Sequence, residues 1–348
     1  MSADVQKVLD THQKVIRENY VAPQGQGFTY YAVSNLRGGV GKSSIAFNLA
    51  HEISRKKALL LADLCPQCNL TELLLGSEFK PKVNIYDALK PVILGSAFGK
   101  IPKDISYNVS QHCDNFKGGH GAYVISGNPE LFAFPSLLYQ QLNTAYSQGN
   151  EQAVGRLLEG LHSILKREMK ANTCEKVLLD TSPFYAGGTH LAWCAVQALI
   201  VPVRVDEHSL ESLELLFNQL SDRNRDFQIW NDRAGGRAIP KIAAIVMTMV
   251  GSKSQKEATP DNASRMYIER ALDLAERYAD LFSHKDPSDA FVITDDFHSA
   301  GRISGAKRIP ITELQVGKFH TVEEGRRLQV NSSVERYKKQ IRYLASMI

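Results

Sequence analysis

Residues 34–44 read Ser-Asn-Leu-Arg-Gly-Gly-Val-Gly-Lys-Ser-Ser, and no other run constrains the chain as strongly. An apolar, strand-like run from Phe28 to Val33 leads into it, and Ile45, Leu49 and Ile53 follow at helical spacing. A strand, a glycine loop and a helix in that order make a phosphate cradle. Gly38, Gly39 and Gly41 let the backbone turn its N–H groups inward, and the loop ends at a helix N-terminus whose dipole favours anions. Lys42 is then placed to reach β- and γ-phosphates, and the Ser43 hydroxyl to ligate Mg²⁺. Arg37, Gly38, Gly39, Val40, Gly41, Lys42, Ser43 and Ser44 are therefore the expected binding segment for a nucleoside triphosphate.

Such a cradle needs carboxylates at the ends of neighbouring strands to hold the cation. Leu59-Leu-Leu-Ala-Asp63 and Val177-Leu-Leu-Asp180 both read as strands ending in an acid, and the second is followed by Thr181-Ser-Pro183. Mg²⁺ takes oxygen ligands and keeps several waters, so Asp63 and Asp180 are candidate metal residues acting directly or through water. Each could instead cap the next helix.

Strand-like and helical runs alternate along the chain. Strands are expected near 28–34, 58–63, 122–126, 176–180, 198–203, 241–248 and 290–294, with helices at 129–144, 151–170, 208–220 and 262–282 among others. Continuous apolar runs such as Val177-Leu-Leu and Ala198-Leu-Ile-Val imply strands buried on both faces. The expected fold is α/β, a doubly wound, mainly parallel sheet flanked by helices. Residues 92–121 are weakly patterned and read as a surface excursion. Residues 1–27 read as an amphipathic helix, with Val5, Val8, Leu9, Val15 and Ile16 on one face, followed by a linker; a single domain is expected over 28–348.

Hydrophobic residues make up 43% of the 348 residues and charged residues 22%, as in ordinary globular chains. Leu191 to Val203, the longest apolar stretch, is too short to span a bilayer, and Met-Ser-Ala-Asp carries no basic-then-apolar signal, so a cytoplasmic protein is expected. The formal charge is only +4, yet the segment from Ser299 onward holds ten Lys/Arg against four Asp/Glu. A basic C-terminal region on a near-neutral body points to a polyanion, either DNA or an anionic membrane. The five cysteines are scattered, which argues against a disulfide framework, but Cys65-Pro-Gln-Cys68 forms a close pair.

The glycine loop departs from the usual form: Leu36 holds the first glycine position, and a second cation, Arg37, stands before Gly38-Gly39. This resembles the deviant Walker A loop of the ParA/MinD family, Lys-Gly-Gly-x-Gly-Lys-[Ser/Thr]. Leu60-Leu-Ala-Asp-Leu-Cys-Pro-Gln-Cys-Asn-Leu-Thr71 resembles the family's Leu-Leu-x-Asp-x-Asp-Pro-Gln-x-Asn-x-Thr, and Asp180-Thr-Ser-Pro183 its Asp-Thr-Pro-Pro. Ala198–Val203 with Ser209–Leu213, Ile245–Met249 and Arg308–Ile311 are similar to later family segments, so the resemblance covers about residues 28–346. It implies an ATP- and Mg²⁺-dependent switch of the ParA-like branch. Two ATP-bound subunits would close face to face, with the signature cation reaching the partner's nucleotide. Here that cation is Arg37, whose planar fork would act as an arginine finger. The homodimer would bind DNA non-specifically, be reset by a ParB-like or adaptor protein, and segregate or position a cargo.

One departure bears on turnover. The family's second aspartate of Asp-x-Asp-Pro-Gln supports hydrolysis by positioning the attacking water, and Cys65 stands there. A thiol orients water poorly, so with Arg37, Lys42 and Cys65 as the catalytic set, hydrolysis is expected to be slow or absent. A hydrolysis-deficient, ATP-bound scaffold is one alternative reading. The Cys65–Cys68 pair also allows a redox dithiol or a shared metal or Fe–S cluster. In the tail, Val334, Tyr337, Ile341, Leu344 and Ile348 share a helical face opposite Arg336, Lys338, Lys339 and Arg342. That is a docked helix, or a MinD-like membrane anchor. The DNA-contact candidates are Lys253, Lys256, Arg302, Lys307, Arg308, Arg326, Arg327, Lys338, Lys339 and Arg342.

Overall fold

The elements, in chain order, are α1 (Ala3–Glu18), β1 (Tyr30–Val33), α2 (Lys42–Ser54), β2 (Leu59–Asp63), α3 (Asn69–Leu75), α4 (Ile85–Leu94), β3 (Ser106–Asn108), β4 (Ala122–Ile125), α5 (Phe134–Ser147), α6 (Glu151–Ala171), β5 (Lys176–Asp180), α7 (Gly188–Ala195), β6 (Ala198–Arg204), α8 (Glu207–Ser221), α9 (Asp226–Arg233), β7 (Lys241–Val250), α10 (Asn262–Arg277), β8 (Phe291–Asp295), α11 (His298–Lys307), β9 (Phe319–Thr321), β10 (Arg327–Gln329) and α12 (Val334–Ser346). The structure, a computed structural model, describes residues 3–22, 27–251, 259–322 and 325–348. Lys253 and Lys256 lie outside these.

Among the described residues the main sheet has eight strands in the order β3-β4-β2-β5-β1-β6-β7-β8. All neighbours are parallel except β3, which runs antiparallel to β4. The central strands β2 and β5 are buried at every position, as their unbroken apolar runs require. Apolar cores lie on both faces. One gathers α4 to α10 against Leu60, Val177, Leu199 and Ile245; the other gathers α2, α3 and α12 against Leu61, Leu178, Ile200 and Val246. This is the doubly wound α/β architecture.

Crossovers place β1, β2 and β5 side by side, so their C-terminal ends converge at one rim. Val33 pairs with Asp180, and Asp180 with Asp63. Ligands of such sheets bind at that rim, where the strand order reverses.

Two regions differ from the sequence reading. Residues 92–121 are not simply a surface excursion: Ser106–Asn108 adds the edge strand β3, and Val109, Cys113 and Phe116 are buried in the second core. The helix expected over 129–144 is divided. A short 3-10 turn, Pro129–Phe132, precedes α5, whose early Pro135 suits a first turn, where no N–H is needed.

The N-terminal helix straddles the β8 edge of the sheet. Its Val5, Val8 and Leu9 join the first core and Val15 the second, while Ile16 is only partly buried. Lys7 pairs with Asp286 at 2.7 Å and Asp289 at 2.5 Å. An apolar helix face over the last strand shields an otherwise open sheet edge. At the other terminus α12 buries Val334, Tyr337, Ile341 and Leu344. A third, smaller core joins its first turn to α11 and the β9–β10 hairpin through Ala300, Ile303, Ile311, Leu314 and Val330.

Candidate nucleotide site

The loop after β1 is fixed from below. Ser34 N–H donates to the Ile200 carbonyl at 3.0 Å, and the Ser34 hydroxyl oxygen accepts from Trp193 Nε1 at 2.8 Å. Gly39 and Gly41 adopt φ of 72° and 90°, the left-handed region that favours glycine, and Gly41 leads directly into α2. Val40 is buried, and its carbonyl accepts from the Thr248 hydroxyl at 3.2 Å, which ties the loop to β7. Gly38 and Gly39 are exposed.

Lys42, only 8% exposed, donates to the Arg37 carbonyl at 2.7 Å across the loop. Burial pushes its ammonium down to about 8, with the Asp180 charge opposing. The Ser43 hydroxyl donates to Asp180 Oδ2 at 2.5 Å. Asp180 Oδ1 is buried with no hydrogen-bond partner. Burial, and then the charge of Asp63, raise the Asp180 carboxyl. A buried carboxylate oxygen without a donor, beside a serine hydroxyl at a helix N-terminus, is a hard-oxygen set suited to Mg²⁺.

Asp63 behaves differently from the metal residue expected. Its Oδ1 accepts from Cys65 N–H at 3.0 Å, and its Oδ2 from Thr71 N–H at 2.9 Å and the Thr71 hydroxyl at 2.8 Å. These donors come from its own following loop, so Asp63 braces the turn that carries Cys65 instead of offering open oxygens to a cation. Gly127 packs against it, where an added Cβ would stand 3.1 Å from Asp63 Cγ and from Cys68 Sγ.

Cys65 is buried in the wall of a 150 Å³ cavity lined also by Gly38, Gly39, Gly41, Lys42, Ser43, Gln67, Asn69, Thr181 and Pro183. Burial pushes the Cys65 thiol up to about 11 and the Cys68 thiol up to about 12. A redox dithiol needs a thiol that ionises readily, and this turn does the opposite. Among the described residues no group of three His, Cys, Asp or Glu could hold a metal.

Arg37 does not project freely. Its guanidinium pairs with Asp206, at the N-terminus of α8, and donates to the Ser209 hydroxyl at 2.9 Å. Asp206 also receives Arg204 at 3.2 Å and caps α8 by accepting from Ser209 N–H at 3.0 Å. The Asp206-x-x-Ser209 spacing reads from sequence as a helix cap; its second role as the seat of Arg37 does not.

Beside the loop, Ser44, Thr248, Met249, Asp295, Phe297, His298 and Arg302 line a further cavity of 310 Å³. Met249 and His298 hold φ of 57° and 41°, strained values for residues with side chains. Sequence reasoning had no signal for this compartment, because its residues come from three separate segments.

The basic residues separate into two groups. Arg308 turns inward and donates to the carbonyls of Leu73 at 3.0 Å, Leu74 at 2.8 Å and His112 at 2.7 Å. Lys338 pairs with Glu335 at 2.8 Å, Lys339 donates to the Ile16 carbonyl at 2.6 Å, and Arg342 lies 3.8 Å from Glu52. Arg308, Lys338 and Lys339 thus serve the fold, which removes them from the open cationic surface expected of them. Arg302, Lys307, Arg326 and Arg327 are exposed around α11 and the β9–β10 hairpin.

Residues 29–229 match the AAA domain family (AAA_31). The chromosome-partitioning ATPase Soj of Thermus thermophilus is 24% identical over 226 residues, covering 64% of this chain and 70% of Soj. The fold is shared with an ATP complex of McdA from Cyanothece, at a TM-score of 0.59 and 16% identity, covering 83% of this chain and 91% of that one. It is shared also with a putative Borrelia burgdorferi plasmid partition protein bound to AMPPNP, at a TM-score of 0.50 and 17% identity, covering 92% of this chain and 99% of that one. With the deviant glycine loop, the strand-terminal Asp180 and a family match over more than half its length, the chain belongs to the AAA domain family as a P-loop ATPase of the ParA/MinD type.

Proposed function

We infer that this protein is a Mg²⁺- and ATP-dependent dimerising switch that binds DNA non-specifically and positions or segregates a cargo with the help of an adaptor protein. The observation that carries the reading is the convergence of Lys42, Ser43 and the donor-free oxygen of Asp180 at the P-loop. Ser43 and Asp180 would hold the cation, which when bound supplies charge neutralisation at the phosphates. Lys42 supplies a buried cation to the phosphate oxygens, and the loop N–H groups bind and orient them. The 310 Å³ compartment that opens at Ser44 is the place for the nucleoside. The names of the relatives, a chromosome-partitioning ATPase and a plasmid partition protein, support the cargo class. Binding to DNA places the protein's work in the cytoplasm, on the nucleoid.

One of the two alternative readings loses support. The membrane anchor would need the apolar face of α12, and that face is spent in the core. No helix of the described residues is long and apolar enough to cross a membrane. The scaffold reading keeps a specific observation in its favour: a neutral, buried thiol at the position expected to order water. The test is to extract the nucleotide from purified protein and follow phosphate release with and without DNA. Bound ATP with negligible release supports the scaffold, ADP with steady release supports the cycling switch, and no nucleotide binding at all refutes both.

For Arg37 to reach a partner's nucleotide it must leave Asp206. Arg204 and the Ser209 N–H remain to neutralise that carboxylate, so the exchange exposes no bare charge. Asp206→Asn is expected to loosen the hold by about 1 kcal/mol per subunit, about 2 kcal/mol for the dimer, and so tighten ATP-dependent dimerisation about 30-fold. Sedimentation velocity across a concentration series reads this directly; weaker dimerisation in the variant would mean that Asp206 supports the dimer.

A further inference from the structure

The turn between β2 and α3 is held at both ends. Leu64 N–H donates to the Asp180 carbonyl at 2.9 Å, which ties the turn to β5. The Thr71 hydroxyl that braces Asp63 also accepts from Gly127 N–H at 2.8 Å, which ties it to the loop after β4. Between these anchors Cys68 N–H donates to the Cys65 carbonyl at 3.0 Å, and Cys68 turns left-handed at φ 56°. The turn so fixed sets two exposed amide side chains, Gln67 and Asn69, in the wall of the 150 Å³ cavity that Lys42, Ser43 and Cys65 also line. Asn69 Nδ2 donates to Gln67 Oε1 at 3.3 Å.

Hydrolysis needs a group that orients the attacking water while donors hold the phosphoryl oxygens. Among the described residues the other side chains lining this cavity cannot serve. Lys42 only donates, and Ser43 gives its proton to Asp180. The Thr181 hydroxyl is turned back into the sheet, 3.1 Å from the Val33 carbonyl and 3.0 Å from the Ser34 hydroxyl. The neutral Cys65 thiol is a weak donor and a weak acceptor. A side-chain amide carries a full acceptor and two donors on one plane.

We propose that Gln67 is the water-positioning residue of this ATPase, in place of an acid at position 65, and that Asn69 holds Gln67 in its working orientation. The inference rests on the cycling-switch reading above and names the group that lets hydrolysis proceed. Gln67 Oε1 accepts from the water, and Gln67 Nε2 donates to an oxygen of the phosphoryl group in flight. The water oxygen bonds to the γ-phosphorus as the bond from that phosphorus to the β–γ bridging oxygen breaks. The electron pair of that bond leaves with ADP, and the water's proton passes to an oxygen of the released phosphate. The bond from Asn69 occupies one lone pair of Gln67 Oε1 and leaves the second, with both N–H groups, for the reaction. An amide orients the water without taking its proton, so turnover is slow but not absent.

The test uses the full chain with Mg²⁺. Single-turnover release of phosphate from γ-labelled ATP reads the chemistry. A fluorescent ADP analogue, titrated with and without aluminium fluoride as a mimic of the phosphoryl group in flight, reads the same contact with no reaction. Gln67→Ala should lower the single-turnover rate at least tenfold while ATP affinity stays within about twofold. The same variant should weaken the ADP–aluminium fluoride complex at least tenfold and leave ADP alone unchanged. Asn69→Ala should cost about threefold in rate. With Cys65→Asp also present, Gln67→Ala should cost less than about threefold, because the carboxylate then holds the water. The urea unfolding midpoint should not move in either amide variant, since both side chains are exposed. An unchanged rate in Gln67→Ala, with ATP bound, overturns the inference and leaves the ATP switch standing. An equal loss with and without Cys65→Asp overturns it too, since Gln67 would then serve something other than the water. Equal weakening of ADP with and without aluminium fluoride overturns it in favour of a nucleotide-binding role. No phosphate release by the ATP-bound parent overturns both the inference and the cycling reading, and leaves the scaffold.

Discussion

Lys42→Met is expected to abolish ATP binding, weakening it by at least a hundredfold, while making the empty protein more stable. The two effects have one cause. The Lys42 ammonium is buried in the P-loop, and burial lowers it from 10.5 to about 8. Between those values the unfolded chain binds more protons than the folded one, so stability rises with pH across that window and the full penalty is present below about 8. A shift of that size corresponds to about 3 kcal/mol at neutral pH. Methionine has similar length and no charge, so it removes the penalty; the lost hydrogen bond to the Arg37 carbonyl takes back about 1 kcal/mol. A gain of about 2 kcal/mol should appear as a higher unfolding midpoint in urea. The triphosphate reverses the balance, because it supplies the counter-charge that the empty loop lacks. For the parent protein, ATP affinity should also fall by up to tenfold per pH unit once the pH passes about 8. Calorimetric titration at several pH values checks this. A variant that is less stable than the parent, or affinity flat to pH 9.5, would show that Lys42 is already compensated in the empty site.

Much of this arrangement was legible before the structure, because its signals are local. A glycine loop between an apolar strand and an amphipathic helix can be read from adjacent residues. Strands β2 and β5 announce themselves by unbroken apolar runs that end in Asp63 and Asp180. The sequence could not separate those two aspartates. Both end parallel strands and stand as register partners, yet three donors from the following turn occupy Asp63 while Asp180 keeps a free oxygen. The difference lies in Thr71, eight residues on, and in how α3 folds back. The seat of Arg37 is non-local in the same way, since 169 positions separate it from Asp206. The cations of the tail were misjudged because composition counts charge and cannot see its partners. Arg308 and Arg302 count alike in composition, but one reaches three carbonyls and the other lines a groove. Strand β3 escaped notice for a different reason: three partly buried residues at a sheet edge carry too little alternation to register.

Cys65→Asp should raise ATP turnover at least tenfold in the presence of Mg²⁺, and Cys65→Ser should not. The position is already built for the task. Cys65 N–H is pinned to Asp63, the side chain lines the cavity beside Lys42, Thr181 and Gln67, and only the functional group differs from the one that would hold a water. A carboxylate accepts the water's proton or orients it, a contribution worth about 10²–10⁴ in rate where geometry is good. A neutral thiol pushed up to about 11 does neither at pH 7. The substitution is not free of strain, since a third acid joins Asp63 and Asp180, both raised by burial. The empty variant should therefore be less stable than the parent, by about 1–2 kcal/mol, and lose more as the pH rises and its acids ionise. Nucleotide with Mg²⁺ should restore that loss, because the cation and Lys42 neutralise the cluster. Serine controls for size and polarity without adding a base. Equal turnover in the parent and Cys65→Asp proteins, with ATP binding intact in both, would place the water-ordering group elsewhere. A variant that turns over quickly but no longer retains ATP-dependent dimers on DNA would show what the cysteine contributes: a long-lived bound state, held because the chain lacks the group that ends it.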